Sequence, residues 1–91
     1  MTAFERYISD QVEKIVPSFE KLELRGNIGD NSYSVEFFVT VDGKKMQCFE
    51  MVDDGLIKEK ELDIVSKSIA NNFRKSSSYE SGKINEITIS I

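Results

Sequence analysis

Apolar residues recur on a helical period at the start of the chain and on a period of two through its middle, and this switch predicts most of the elements. Phe4, Ile8, Val12, Ile15 and Val16 share one face, while Glu5, Arg6, Asp10, Glu13 and Lys14 fall mostly elsewhere. Thr2-Ala3-Phe4-Glu5 has the spacing of a capping box, so a helix is expected to begin there and to stop before Pro17. From Glu20 the period shortens: Leu22, Leu24 and Ile28 alternate with Glu23, Arg25 and Asn27, and Gly29-Asp30-Asn31 supplies a turn. In the run from Ser32 to Val41, the odd positions Tyr33, Val35, Phe37, Val39 and Val41 form one apolar face. Asp42-Gly43 is a two-residue hairpin turn, which predicts that Lys44 to Met51 returns antiparallel.

Asp53-Asp54-Gly55 closes this meander. A charged stretch then leads into a second helix with Leu62, Val65, Ile69 and Phe73 on one stripe and Lys67, Arg74 and Lys75 toward its carboxyl end. Ser76-Ser77-Ser78 with Gly82 reads as a flexible connection, after which Ile87, Ile89 and Ile91 alternate with Glu86, Thr88 and Ser90 in a last strand. The order α-β-β-β-α-β implies an α+β fold: a two-layer sandwich in which two helices cover one side of a mostly antiparallel four-stranded sheet. With 91 residues there is room for one hydrophobic core, so residues 1–91 are read as a single domain.

The hairpin fixes a register and thereby divides the side chains between two faces. Val41 opposite Lys44, Val39 opposite Met46 and Phe37 opposite Cys48 make the core face. On the other face Thr40 opposes Lys45, Phe38 opposes Gln47, Glu36 opposes Phe49 and Ser34 opposes Met51, which gathers Phe38, Phe49 and Met51. If both helices cover the first face, this second face is an exposed apolar patch edged by Glu36, Gln47 and Lys45, the composition of a partner or homodimer surface. If one helix covers each face, or a bulge shifts the register, the same residues are core. A second candidate surface is acidic: Glu50, Asp53, Asp54, Glu59, Glu61 and Asp63 gather around the start of the second helix, where the helix dipole also favours acids.

Composition narrows the chemistry. There is no histidine, which removes the commonest general base and metal ligand and every Ser-His or Cys-His nucleophile pair. Cys48, the single cysteine, lies mid-strand facing the core in this register and reads as a small buried hydrophobe. Asp53-Asp54-Gly55 lacks the alternating oxygen ligands of a calcium loop, and the five isolated glycines form no phosphate-cradling loop. No metal, no cofactor and no enzymatic activity are expected. Sixteen acids against twelve bases give a net charge of −4, which opposes direct nucleic-acid binding and favours a basic protein partner. The lone thiol and the absence of any apolar run of signal-peptide or membrane-span length lead to a cytoplasmic expectation, with no membrane association.

The run Tyr7-Ile8 through Val12, then Ile15-Val16-Pro17-Ser18-Phe19-Glu20-Lys21-Leu22, then Ser32-Tyr33-Ser34-Val35-Glu36-Phe37-Phe38, resembles the opening of the YezG-like family of small bacterial immunity proteins. That family has an amphipathic helix ending in an Ile/Val-Pro-aromatic element, followed by a meander with an aromatic second strand. The resemblance covers the first half of the chain, and Phe19 stands where a tryptophan is frequent in the family. It implies an antitoxin of a polymorphic-toxin or contact-dependent growth inhibition system, which binds a cognate toxin, often a nuclease, and masks its active site or substrate groove. No toxin-contact residue is carried over from the family. The candidate contacts Phe38, Phe49, Met51, Glu36, Glu50, Asp53, Asp54 and Glu59 come from the register and the acidic cluster. The alternative reading is a small ligand-binding or regulatory domain that dimerises through its open sheet face.

Overall fold

A computed structural model describes all 91 residues. Helix α1 (Ala3–Glu13) precedes strands β1 (Lys21–Ile28), β2 (Tyr33–Val41) and β3 (Lys44–Gln47), the short helix α2 (Cys48–Asp53), the long helix α3 (Glu59–Arg74) and strand β4 (Asn85–Ser90). The capping box forms as its spacing requires: Thr2 Oγ1 accepts from the Glu5 backbone N–H at 3.1 Å, and Thr2 N–H donates to Glu5 Oε1 at 2.7 Å.

The sheet order is β3-β2-β1-β4, antiparallel throughout, so the carboxyl-terminal strand lies beside the first. Asp42 (φ +51) and Gly43 (φ +77) both occupy the left-handed region, the conformation that a two-residue type I′ turn demands. The turn sets the expected register, with Val41 opposite Lys44, Val39 opposite Met46, Thr40 opposite Lys45 and Phe38 opposite Gln47.

One face of the sheet carries the core. Leu22, Leu24, Val35, Phe37 and Val39 pack with Ile8 and Val12 of α1, Cys48 and Met51 of α2, and Leu62, Val65 and Ile69 of α3. All three helices therefore lie on the same side, giving the expected two-layer α+β sandwich. Burying these aliphatic and aromatic side chains, each contributing about 1.5–3 kcal/mol, is the main force holding the layers together. No helix is long and apolar enough to cross a membrane.

Two features depart from the reading of the sequence. The return strand ends at Gln47, and α2 takes the place of its second half. Continued as a strand, the chain would have sent Met46, Cys48 and then Glu50 inward, placing a carboxylate opposite Val35 in the core. A helical turn instead keeps Cys48 and Met51 inside and swings Glu50 out to solvent. The pairs of Phe37 with Cys48, Glu36 with Phe49 and Ser34 with Met51 consequently do not form as strand partners.

Candidate protein-binding site

Helix α2 is built from its first residue. Gln47 has extended backbone (φ −90, ψ 142), and its Oε1 accepts from the N–H groups of Phe49 at 2.9 Å and Glu50 at 3.0 Å. Its Nε2 donates to Glu36 Oε2 at 3.1 Å, so one side chain caps the helix and ties it to the outer face of β2. Cys48 and Met51, one helical turn apart, anchor the helix in the core. Burial pushes the Cys48 thiol above its ordinary value, the opposite of what a reactive thiolate requires.

This geometry corrects the apolar patch. Met51 is 4% exposed and belongs to the core, so it is withdrawn as a contact residue. Phe38 does lie on the open sheet face, half-buried, with Lys45 Nζ 4.9 Å from its ring centroid. Phe49 is 50% exposed, but on α2 and not on the sheet. Around Phe38 the open face is a lattice of charges: Glu23 meets Lys45 at 3.2 Å and Lys21 at 3.4 Å, and Arg25 meets Glu36 at 3.7 Å. The hydrogen bond from Lys45 holds the Glu23 carboxyl below the usual range. Each of these exposed pairs contributes little to stability, and together they leave the face polar.

The acidic cluster and Phe49 come together instead. Glu50, Asp53, Asp54 and Glu59 are all exposed along α2 and the start of α3, and Phe49, Val52, Asp53, Glu59 and Asp63 line one shallow cleft of about 210 Å³. The fourteen residues from Glu50 to Asp63 hold six acids and two lysines, a net charge of −4 and so the whole net charge of the chain. The other 77 residues balance at ten acids and ten bases. Leu56, also exposed, adds a second apolar side chain to the segment. No group of three or more acids or cysteines is close enough to hold a metal ion.

A further feature had no signal in the sequence pattern. Because β3 stops at Gln47, the Tyr33–Phe37 half of β2 has a strand neighbour on the β1 side alone. Beside it lies a cleft of about 560 Å³ whose lining includes Tyr33, Val35, Glu36, Phe49, Leu62 and Asp63. Phe49 and Asp63 border both clefts, so the acidic segment and the open stretch of β2 form one continuous surface. Of the sequence-derived contacts, Phe49, Glu50, Asp53, Asp54 and Glu59 lie on it or on its helical segment, Glu36 is at its sheet border, and Phe38 sits on the separate open face.

No family model, curated protein or solved structure matches the chain. Fold and site together define a small α+β sandwich with an acidic, aromatic-bearing surface at one margin of its sheet.

Proposed function

We propose that the chain is a non-enzymatic protein-binding inhibitor, an immunity protein that neutralises a cognate toxin in the cytoplasm by covering its basic active site or substrate groove. The observation that carries this reading is the concentration of the entire net charge of −4 in residues 50–63, beside the exposed Phe49. Concentrated charge at one margin steers a basic partner and orients it on encounter, and an exposed aromatic inside a polar rim is the composition of a protein interface. A nuclease-type toxin, whose groove must attract phosphate, offers the matching basic surface. The resemblance of the first half of the chain to YezG-like immunity proteins points the same way.

The test is co-expression of the tagged chain with the product of the neighbouring reading frame, followed by binding kinetics. The expected result is a stoichiometric basic partner that is toxic when expressed alone. Reversing Glu50, Asp53 and Glu59 to lysine is then expected to slow association about tenfold or more at low salt, and Phe49→Ala to speed dissociation. Binding unchanged by all four substitutions would sink the assignment of this surface, and a partner-free chain that retains a small molecule through purification would favour the regulatory-domain reading.

A further inference from the structure

Strand β4 is a full edge strand, bonded to β1 on one side and to no strand on the other. The direction of its free groups follows from the ladder. Leu22 and Ile91 exchange both backbone bonds, Leu22 N–H to Ile91 at 3.0 Å and Ile91 N–H to Leu22 at 2.8 Å. Narrow pairs recur every second residue, so Asn85, Ile87, Ile89 and Ile91 spend their groups on β1. The N–H and C=O groups of Glu86, Thr88 and Ser90 therefore point outward, and none of them has a hydrogen-bond partner within the chain.

The edge also carries few of the devices that keep edges apart, Glu86 being its single charge. β3, at the opposite margin, is four residues long and carries Lys44 and Lys45. β4 is six residues of regular alternation with neither lysine nor proline. On its core side runs a cleft of about 620 Å³ lined in part by Phe4, Phe73, Ile84, Ile87 and Ile89, with Ile84 57% exposed and Ile87 and Ile89 half-buried.

We propose that β4 pairs with β4 of a second copy of this chain, antiparallel about a two-fold axis at Thr88, to give one continuous eight-stranded sheet. The register is self-consistent. Centred on Thr88, it sets Thr88 against its own equivalent and Glu86 against Ser90 of the second copy, so every outward-pointing group meets another and six hydrogen bonds form. The intervening wide pairs place Ile87 against Ile89 twice, close β-branched contacts that cover the apolar cleft from both sides. No like charges oppose one another, since Glu86 faces a serine. The net charge of each copy lies in residues 50–63, on α2 and α3 beside β2 and β3, so two β4 margins approach without bringing the acidic segments together. The dimer presents those two segments at its outer ends, free for a partner.

Light scattering on the size-fractionated chain, with circular dichroism to verify folding, tests this directly. The wild-type chain is expected to run as a dimer that dissociates on dilution. Ser90→Glu sets two pairs of carboxylates face to face across the dimer and is expected to weaken dimerisation about tenfold, whereas Ser90→Lys, which meets Glu86 twice, is expected to tighten it; because position 90 also faces Glu23 of its own chain, both are read in a Glu23→Gln background. Thr88→Pro removes the central outward donor without touching the β1 ladder and is expected to give a monomer. A monomeric wild-type chain at all accessible concentrations, or a dimer indifferent to both charges at position 90, would overturn the proposal. Neither outcome bears on whether the acidic surface binds a toxin.

Discussion

The two margins of the sheet handle the end of pairing in opposite ways. At the β3 margin the strand is abandoned after four residues, the chain turns into α2, and the bend is secured by one side-chain cap and two apolar anchors, Gln47 with Cys48 and Met51. At the β4 margin the strand is kept intact and the preceding loop is pinned by polar groups. Asn85, 8% exposed, donates from Nδ2 to the carbonyls of Glu80 at 2.8 Å, Ile28 at 3.1 Å and Lys83 at 3.2 Å, and accepts from Glu80 N–H at 2.9 Å. Arg74, at the end of α3, clamps the β1–β2 turn through Gly29 and Ser32 carbonyls, both at 2.9 Å. The contrast separates two jobs: an irregular margin displays charge and an aromatic ring, and a regular one, braced from behind, leaves a clean edge.

The largest effect should come from breaking the polar brace. Asn85→Asp keeps the shape but turns a donor into an acceptor aimed at three carbonyls, and it is expected to cost about 3 kcal/mol or more in denaturant unfolding. The 76–84 loop should lose amide protection first. Asn85→Ala, which removes the donor without adding a charge, should cost less. Equal losses for the two would mean that an acceptor aimed at the three carbonyls costs no more than the side-chain packing that alanine removes.

At the other margin, neighbours on α2 should behave oppositely. Met51→Ala is expected to destabilise the fold by about 2–4 kcal/mol because it empties a packed core position. Phe49→Ala, at an exposed position, is expected to stay within about 0.5 kcal/mol and to be felt in partner binding alone. Gln47→Ala sits between them, at about 1 kcal/mol, through the lost cap. If Gln47→Ala were silent, the burial of Cys48 and Met51 would suffice to bend the chain.

The same contrast explains which parts of the fold were legible in the sequence. The capping box, the Asp42-Gly43 turn and the 62-65-69-73 stripe each rest on a short local pattern, and local patterns survive without knowledge of the partner. The segment from Met46 to Val52 has apolar residues at 46, 48, 49, 51 and 52, which fit both a period of two and a helical turn. What decides between them is the cost of an inward Glu50, a tertiary fact. The acids of the candidate site were readable as a cluster, but their union with Phe49, and the exclusion of Met51, depend on α2. Asn85 gave no signal because its burial and its bond to Ile28, 57 residues away, are tertiary facts, and its local bonds to Glu80 and Lys83 follow no standard turn spacing.

The smallest effect, and the sharpest probe of the β4 margin, is electrostatic. Tyr79 Oη donates to Asp30, and Gly82 N–H donates to the same carboxylate at 3.0 Å, joining the β1–β2 turn to the loop before β4. The bond from Tyr79 holds the Asp30 carboxyl below its ordinary 3.8, and the bond to Asp30 raises the Tyr79 hydroxyl above its ordinary 10.0. A depressed acid adds stability that is complete above 3.8 and is lost as pH falls through the lower folded value. A raised phenol adds stability that is complete below 10.0 and is lost as pH climbs through the higher folded value. Tyr79→Phe is therefore expected to flatten the thermal stability profile at both ends, reducing the acid loss and removing the phenol's alkaline loss. Lys45→Gln, which takes from Glu23 of β1 its main partner on β3 and leaves Lys21, should reduce the acid loss in part, since Glu23 too is held below its ordinary 4.5. An alkaline limb left unaltered by Tyr79→Phe would show that the Asp30–Tyr79 link contributes nothing to holding the loop, and would leave Asn85 and Arg74 as the brace behind the edge.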